Sequence, residues 1–367
     1  MLNFVKEFEK KASKIEGVTG ESLPPRYWHS FGNHCINKVM SGDYMKGIPQ
    51  GRLTGLAGPS GAGKSFILGN LIREAQHDGA FALVIDSENA LDDDFLRKIG
   101  VDVSSENYMY KSVVTIPQVT NLVSAFVRSY KKEYAEDLET APRVIIGIDS
   151  LDMLLTETEQ ENYEKGVTKG DQGQRNKQLK AMLRGFVQDI KNTNITMVVT
   201  SQVYRNQDIK NGEGTWIVSD AVRYSLSQIV LVTKLKLKDD SGKVQSFSGI
   251  RMKCQGFKTR FTKPFQTVEI EVPYETGIDR FSGLLEVAAS QGIVNKKGAR
   301  YEIAGANGPS WYSRDFYEYA EDVLAQLSKS NADVHIGHNS DEADLEGNMN
   351  AIEIAAARRH KILQETE

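Results

Sequence analysis

The run Gly58-Pro59-Ser60-Gly61-Ala62-Gly63-Lys64-Ser65 satisfies the phosphate-binding pattern G-x-x-x-x-G-K-[ST] at every fixed position. Its flanks agree with it. Gly51 to Ala57 reads as a short buried strand, and Ile67, Leu68, Leu71, Ile72 and Ala75 recur at helical spacing behind the loop. Strand, glycine loop and helix in that order constrain the chain to an α/β fold built around an anion site.

Each residue type has a physical role. Gly58, Gly61 and Gly63 let the backbone turn sharply and approach an anion with no Cβ in the way. The amide N–H groups then converge at the positive end of the following helix. Lys64 adds a cation for the β- and γ-phosphates of a nucleotide. Ser65 offers a hydroxyl to Mg²⁺, which prefers oxygen ligands. Pro59, Ser60, Ala62 and Phe66 complete the segment expected to contact ATP.

The chain has 367 residues, 40% of them apolar, enough for one large core with appendages. No stretch approaches ~20 consecutive apolar residues, so no membrane span is expected. Met1 to Lys10 is charged and lacks the long apolar run of a secretory signal. Cys35 and Cys254 are the only cysteines, which excludes a disulfide framework and fits a reducing cytoplasm. No Cys/His cluster has zinc spacing.

The net charge of −4 does not by itself mark a nucleic-acid binder. The charge is uneven, however. From Asn331 onward eight acids and three bases give −5, which leaves +1 for the body. Ile250 to Pro264 carries Arg251, Lys253, Lys258, Arg260 and Lys263 with no acid. The acidic end reads either as a tail tuning access to that basic surface or as a solubility device.

Four segments follow from composition and pattern: 1–40, a helix and linker that docks on its own core or on a neighbouring subunit; 41–280, the α/β core; 281–330, a small C-terminal region; and 331–367, an acidic mobile tail. In the core, strands are expected at Phe81–Asp86, Arg143–Asp149, Ile195–Ser201 and Gln228–Lys234. Helices are expected near Gly63–His77, Ile116–Glu133 and Asn176–Lys191, so the sheet is mostly parallel. Gly249–Cys254 and Thr267–Val272 read as an antiparallel extension. A helix starts near Ser282, residues 295–315 read as loop, and Ser313–Leu327 as helix.

Three strand ends carry chemistry beyond the glycine loop. Arg143 to Ile148 is an apolar strand ending in Asp149, and parallel sheets gather ligands at their carboxyl edge. Asp149 there holds Mg²⁺ directly or through water. Phe81 to Ile85 ends in Asp86-Ser87-Glu88, where Glu88 is placed to activate a water and Asp86 to support it. Met197 to Ser201 ends in Gln202, a neutral amide able to report a γ-phosphate.

Gln202 leads into the loop Val203–Thr215, with Tyr204, Arg205 and Lys210, and then Trp216. A second loop, Thr156–Gln174, carries Tyr163, Lys165 and Lys169 and ends at Arg175. Basic and aromatic residues on glycine-containing loops suit single-stranded nucleic acid. They are equally ordinary on a surface loop.

With these residues in place the chain resembles the RecA family of recombinases, closest to its phage branch, UvsX. The resemblance runs from about Gly51 to Val294. Val84-Ile85-Asp86-Ser87-Glu88-Asn89-Ala90-Leu91-Asp92, continuing to Asp102, resembles the stretch with the family's catalytic glutamate. Lys258-Thr259-Arg260, with Pro264-Phe265, resembles the segment whose cations reach the ATP of the adjacent subunit. Tyr274, before Gly277-Ile278-Asp279, resembles the adenine-side stretch. Ser282 to Glu286 resembles the opening of a C-terminal helix in the phage branch.

The resemblance implies a DNA-dependent ATPase using ATP and Mg²⁺, with Glu88, Lys64, Gln202, Lys258 and Arg260 catalytic. It implies a helical filament of the chain on single-stranded DNA, pairing it with homologous duplex DNA. It also implies mediator and single-strand binding proteins as partners, and the host cytoplasm as the location if the chain is phage-encoded. Gly212-Glu213-Gly214 stands where bacterial relatives carry a double glycine, so the DNA residues are assigned by position. Two other readings share the phosphate loop: a ring helicase on the same fold, and a regulatory ATPase directed at protein.

Overall fold

The computed structural model describes residues 3–15, 24–104, 106–134, 137–167, 173–205, 216–235, 249–273, 277–305, 308–330 and 332–334. The leading helix, α1 (Asn3–Ala12), buries no residue, and Phe4 and Phe8 remain exposed. Next come β1 (Trp28–His29), α2 (His34–Ser41) and β2 (Ile48–Pro49), with β1 and β2 paired antiparallel. Asn33 caps α2 by accepting from the Ile36 N–H at 2.9 Å, a contact worth about 1 kcal/mol. Phe31, Cys35, Ile36, Val39 and Met40 are fully buried in the main core. Residues 28–40, grouped with the leading extension on sequence, thus form part of the packed body.

The central unit then runs β3 (Leu53–Gly58), α3 (Lys64–His77), β4 (Phe81–Asp86), α4 (Asp93–Ile99), β5 (Tyr108–Ser112), α5 (Ile116–Tyr134), β6 (Val144–Asp149), α6 (Glu157–Glu164), α7 (Gln174–Asp189), β7 (Ile195–Arg205), β8 (Trp216–Val218), α8 (Asp220–Ser225), β9 (Gln228–Leu235), β10 (Gly249–Lys258) and β11 (Thr267–Pro273). Among the described residues these strands form a nine-stranded sheet in the order β11-β10-β9-β3-β7-β6-β4-β5, with β8 beside β7. β9, β3, β7, β6, β4 and β5 are parallel, and β10 and β11 extend one edge antiparallel. The mostly parallel α/β fold expected from sequence is the fold observed.

Period-two alternation divides the strands between two cores. Leu56, Val84, Ile145, Val198 and Val230 face α2 and α3. Leu53, Leu83, Ile146, Val199 and Ile229 face α5 and α7. The stripe Ile67, Leu68, Leu71, Ile72 and Ala75 seats α3 on the first face, as its spacing demands. Each such buried aliphatic contributes about 1.5–3 kcal/mol, so the carboxyl ends of the parallel strands are held on rigid supports.

Beyond the sheet lie α9 (Leu284–Ser290), β12 (Val294–Lys297), β13 (Arg300–Ile303), β14 (Trp311–Tyr312) and α10 (Ala320–Leu327), with a 3-10 turn at Ser313–Glu318. β12, β13 and β14 make a small antiparallel sheet where sequence alone reads a loop. Gly298, at φ 63°, opens the two-residue turn that joins β12 to β13. Trp311 stacks on Tyr319 at 4.3 Å and is 4% exposed, which fixes this sheet to the core. Similarly, the expected loop 156–174 contains α6, opened by a capping box between Thr156 and Glu159. No described helix is long and apolar enough to cross a membrane.

Candidate functional site

The glycine loop joins β3 to α3 and sits at the centre of the sheet's carboxyl edge. Gly63 adopts φ 97°, and a Cβ there would lie 2.1 Å from Met252 Cε. A Cβ on Gly58 would lie 2.3 Å from the Val232 carbonyl oxygen. No other residue fits either position. The loop opens a cavity of about 460 Å³ lined by Ser60, Gly61, Gly63, Lys64, Ser65 and Phe66, together with Glu88, Asp149 and Gln202. The candidates Lys64, Ser65, Glu88, Asp149 and Gln202, drawn from four separate stretches, thus converge on one site.

Lys64 Nζ donates to the carbonyl oxygens of Gly58 and Pro59, each at 3.1 Å. Burial lowers its pKa, while Asp149, Glu88 and Asp152 pull it back up. Asp149 is 1% exposed, and burial raises its pKa against the opposing pull of the nearby Ser65 and Thr200 hydroxyls. The Thr200 hydroxyl donates to Asp149 Oδ1, and Asp149 Oδ2 is buried without a hydrogen-bond partner. A buried carboxylate oxygen left open beside the Ser65 hydroxyl is what a hard cation needs. Among the described residues no cluster of three or more His, Cys, Asp or Glu could hold a metal. Ser65, Asp149, water and phosphate oxygens therefore fit Mg²⁺, which keeps several waters, better than a cation demanding a full protein cage.

The ends of β4 and β6 are stitched together behind Glu88. Ser87 Oγ donates to the Ser150 carbonyl at 2.7 Å, and the Ser150 N–H donates back to Ser87 Oγ at 3.0 Å. The Ser150 hydroxyl donates to Glu88 Oε1. Asp86, fully buried, accepts from the N–H groups of Glu88 and Leu91, each at 2.9 Å, and from the Tyr110 hydroxyl at 3.1 Å. Asp86 therefore shapes the turn that carries Glu88.

Another wall brings in Phe95 of α4, to which sequence reasoning gave no role, beside Lys98 and Ile99 and beside Gly277 from the stretch read as adenine-side. Phe66 meets Phe95 edge-to-face at 6.3 Å, giving the cavity an aromatic corner. Neither α4 nor its Phe95 has a local signature that points to a nucleotide. Thr200 and Asp152, which contact Asp149 and Gln202, were equally silent.

Lys258 and Arg260 do not line this cavity. Lys258 Nζ donates to the Arg223 carbonyl at 2.6 Å, and its pKa is lowered by burial and by the charges of Arg260 and Arg223. Their turn is anchored from α2: Thr259 Oγ1 donates to the Met40 carbonyl at 2.8 Å, and Phe261 packs edge-to-face on Trp28 at 4.7 Å. The rest of the basic run is partly neutralised, since Arg251 pairs with Glu271 at 2.7 Å and Lys263 with Asp333 at 2.8 Å.

Of the residues expected at DNA, Tyr163 and Lys165 are exposed at the end of α6. Tyr204, Arg205 and Trp216 lie on the paired ends of β7 and β8, a ribbon where sequence predicted a loop from Val203. Arg175 turns toward the protein: its Nε and Nη2 donate to the carbonyls of Leu154, Leu151 and Asp152, at 2.9, 3.0 and 2.5 Å. Tyr274, Lys169, Lys210 and nearly all of the acidic tail lie outside the described residues.

Residues 29–279 match the model of the RecA N-terminal domain. The chain is 27% identical to Protein RecA of Corynebacterium glutamicum over 306 residues, 82% of this chain and 74% of that one. It is 27% identical to Protein RecA of Desulforapulum autotrophicum over 282 residues, 75% and 74% of the two chains. To Protein RecA of Clostridioides difficile it is 28% identical over 261 residues, 70% and 68% of the two. A phosphate loop, an acid-lined sheet edge and a family match over most of the folded body lead to one conclusion: this chain belongs to the RecA family, as a DNA-dependent ATPase that acts in DNA strand exchange.

Proposed function

We propose that this chain drives strand exchange with an ATP site completed by a second copy of itself, and that it belongs to the phage, UvsX-like branch. One observation carries the reading. Lys64, Glu88, Asp149 and Gln202 share a cavity, whereas Lys258 and Arg260 stand on a separately anchored turn outside it. Cations so placed serve the phosphates of an adjacent protomer in a filament.

In this reading the loop amides and Lys64 hold the phosphates, and Glu88 orients and deprotonates the attacking water. Ser65 and Asp149 would hold Mg²⁺, which would supply charge neutralisation to the phosphates when bound. Gln202 reports the γ-phosphate to the β7–β8 ribbon, so that ATP favours gripping DNA and ADP favours release. Tyr163, Lys165, Tyr204, Arg205 and Trp216 supply cations and stacking faces for single strands. The domain limits read from sequence, with residues 28–40 counted in the packed body, a cytoplasmic site of action, a mediator and a single-strand binding protein belong to the same proposal. The free, buried Cys35 and Cys254 fit a reducing compartment.

ATP turnover without DNA, with duplex and with single strands, each at two salt concentrations, tests this. Strong single-strand stimulation that weakens with salt supports it. No stimulation by either DNA would instead favour an ATPase directed at protein. Closed hexamers rather than open helical filaments in electron micrographs would favour a ring helicase.

A further inference from the structure

Gln202 sits where β7 changes neighbours. On one side it still pairs with β3, at Gly58. On the other, the β6–β7 ladder ends at Ile148 and Val199. The Gln202 N–H finds another acceptor: Asp152 Oδ2, at 2.6 Å. Asp152 belongs to the 3-10 turn Leu151–Met153 that follows β6. A carboxylate on that turn takes over the role a ladder carbonyl would have played.

The turn is held in its own right. Arg175 donates from Nε to the Leu154 carbonyl and from Nη2 to the carbonyls of Leu151 and Asp152. It lies in the first turn of α7, where the helix dipole disfavours a cation. Three bonds to carbonyl oxygens, which an arginine fork can make from one rigid plane, offset that placement. A continuous line of bonds therefore runs from the start of α7, through the 3-10 turn and Asp152, to the backbone of Gln202. α7 begins where one candidate DNA segment ends, and β7 runs from Gln202 into the other.

We propose that Asp152 and Arg175 are positioning residues that couple nucleotide state at Gln202 to DNA grip at both segments. Asp152 acts as a hydrogen-bond acceptor for Gln202, and Arg175 locks the turn that presents it. A shift of Gln202 with the γ-phosphate is then felt at the start of α7 as well as along β7, so the two DNA segments change together. This rests on the reading of Gln202 as the γ-phosphate reporter.

The test is the affinity for a fluorescent single-stranded oligonucleotide with a non-hydrolysable ATP analogue and with ADP, together with DNA-free ATP turnover. The ratio of the two affinities measures the coupling. Asp152→Ala is expected to shrink it by about tenfold, a larger change than in DNA-free turnover, which loses only the pull of Asp152 on Lys64. Asp152→Asn, whose amide oxygen still accepts from the Gln202 N–H, retains the ratio. Arg175→Gln shrinks it, and adding Asp152→Ala costs little more, as for two links of one chain. A full ratio in Asp152→Ala, or a loss in Asp152→Asn equal to that in Asp152→Ala, overturns the proposal. If Asp152→Ala fails to fold, retention in Asp152→Asn with loss in Arg175→Gln decides for it, and any other pattern decides against it. Gln202→Ala separates the two layers. A full ratio there sinks the reading of Gln202 itself. A lost ratio there beside a full ratio in Asp152→Ala sinks only the role of Asp152.

Discussion

The Thr200 hydroxyl donates to one oxygen of Asp149 and leaves the other buried and unbonded at the edge of the nucleotide cavity. Burial raises the Asp149 pKa. A carboxyl whose folded pKa lies above its unfolded one adds stability at low pH that is lost as pH rises through the folded value. At neutral pH the ionised Asp149 is thus a cost to the nucleotide-free fold. Asp149→Asn is expected to raise the melting temperature at neutral pH, with the gain shrinking as pH falls toward the ordinary carboxylate range, and to abolish ATP turnover. Melting curves across pH check it. A lower melting temperature at neutral pH would show that the carboxylate stabilises the fold.

Lys64 is the only lysine of the glycine loop, and its ammonium is held by the Gly58 and Pro59 carbonyls at the mouth of α3. Lys64→Ala removes the cation that positions the β- and γ-phosphates. ATP turnover with single-stranded DNA is expected to fall by about a hundredfold or more. Lys64 is buried, and that burial disfavours its charge, so its loss should leave the melting temperature nearly unchanged and a steady-state assay beside a thermal melt separates chemistry from folding. Wild-type turnover in this variant would remove the phosphate loop from the mechanism.

What the sequence made legible was whatever local pattern dictates. The apolar strands at Phe81–Asp86 and Val144–Asp149, the stripe on α3 and the glycine loop all appear where period and motif place them. Asp149, Glu88 and Gln202 were found because each follows an apolar run that reads as a buried strand. α4 and β5 were missed: α4 is one short element behind an Asp cap, and β5 is a mostly exposed edge strand with polar residues on both faces. The hairpin of β12 and β13 was signalled by Gly298-Ala299 between extended residues, but the glycines around it read as loop. Asp152, Thr200 and Phe95 could not have been found, because their meaning arises only when strands far apart in sequence become neighbours.

The turn bearing Lys258 and Arg260 hangs on Thr259, which donates to the Met40 carbonyl at 2.8 Å and accepts from the Phe261 N–H at 3.2 Å. Thr259→Val keeps the volume and removes both bonds. Losing about 1 kcal/mol of positioning predicts DNA-stimulated turnover reduced about fivefold with little change in KM for ATP. Measuring kcat and KM separately checks it; a purely raised KM would mean the turn helps binding rather than the chemical step.

If the two cations act across an interface, Arg260→Ala and Glu88→Ala are each inactive alone but complement when mixed. Each mixed interface of the right polarity pairs an intact Glu88 with a neighbour's intact Arg260. Random mixing in equal amounts predicts roughly a quarter of the wild-type DNA-stimulated rate. A titration of one variant into the other, read by phosphate release, checks this. Activity that never exceeds the two single variants would place Arg260 outside the neighbour's site.

The acidic tail begins beside the basic turn, and its first residues are part of the fold. Asp333 pairs with Lys263 at 2.8 Å, the Val334 N–H donates to Gln266 at 2.8 Å, and the Thr267 N–H donates to the Val334 carbonyl at 3.0 Å. Truncation after Ser330 would therefore strip backbone partners from β11 along with the charge. Truncation after Val334 removes seven acids and three bases, a net of −4, and leaves those bonds in place. Removing that charge lowers the repulsion between this end of the chain and a polyanion. Duplex DNA is expected to bind a few-fold more tightly at low salt, with the gain fading as the Debye length shortens toward about 8 Å at physiological ionic strength. Binding curves at several salt concentrations check it. A gain that is independent of salt would point to a steric rather than an electrostatic role for the tail, and no gain at low salt would leave it as a solubility device.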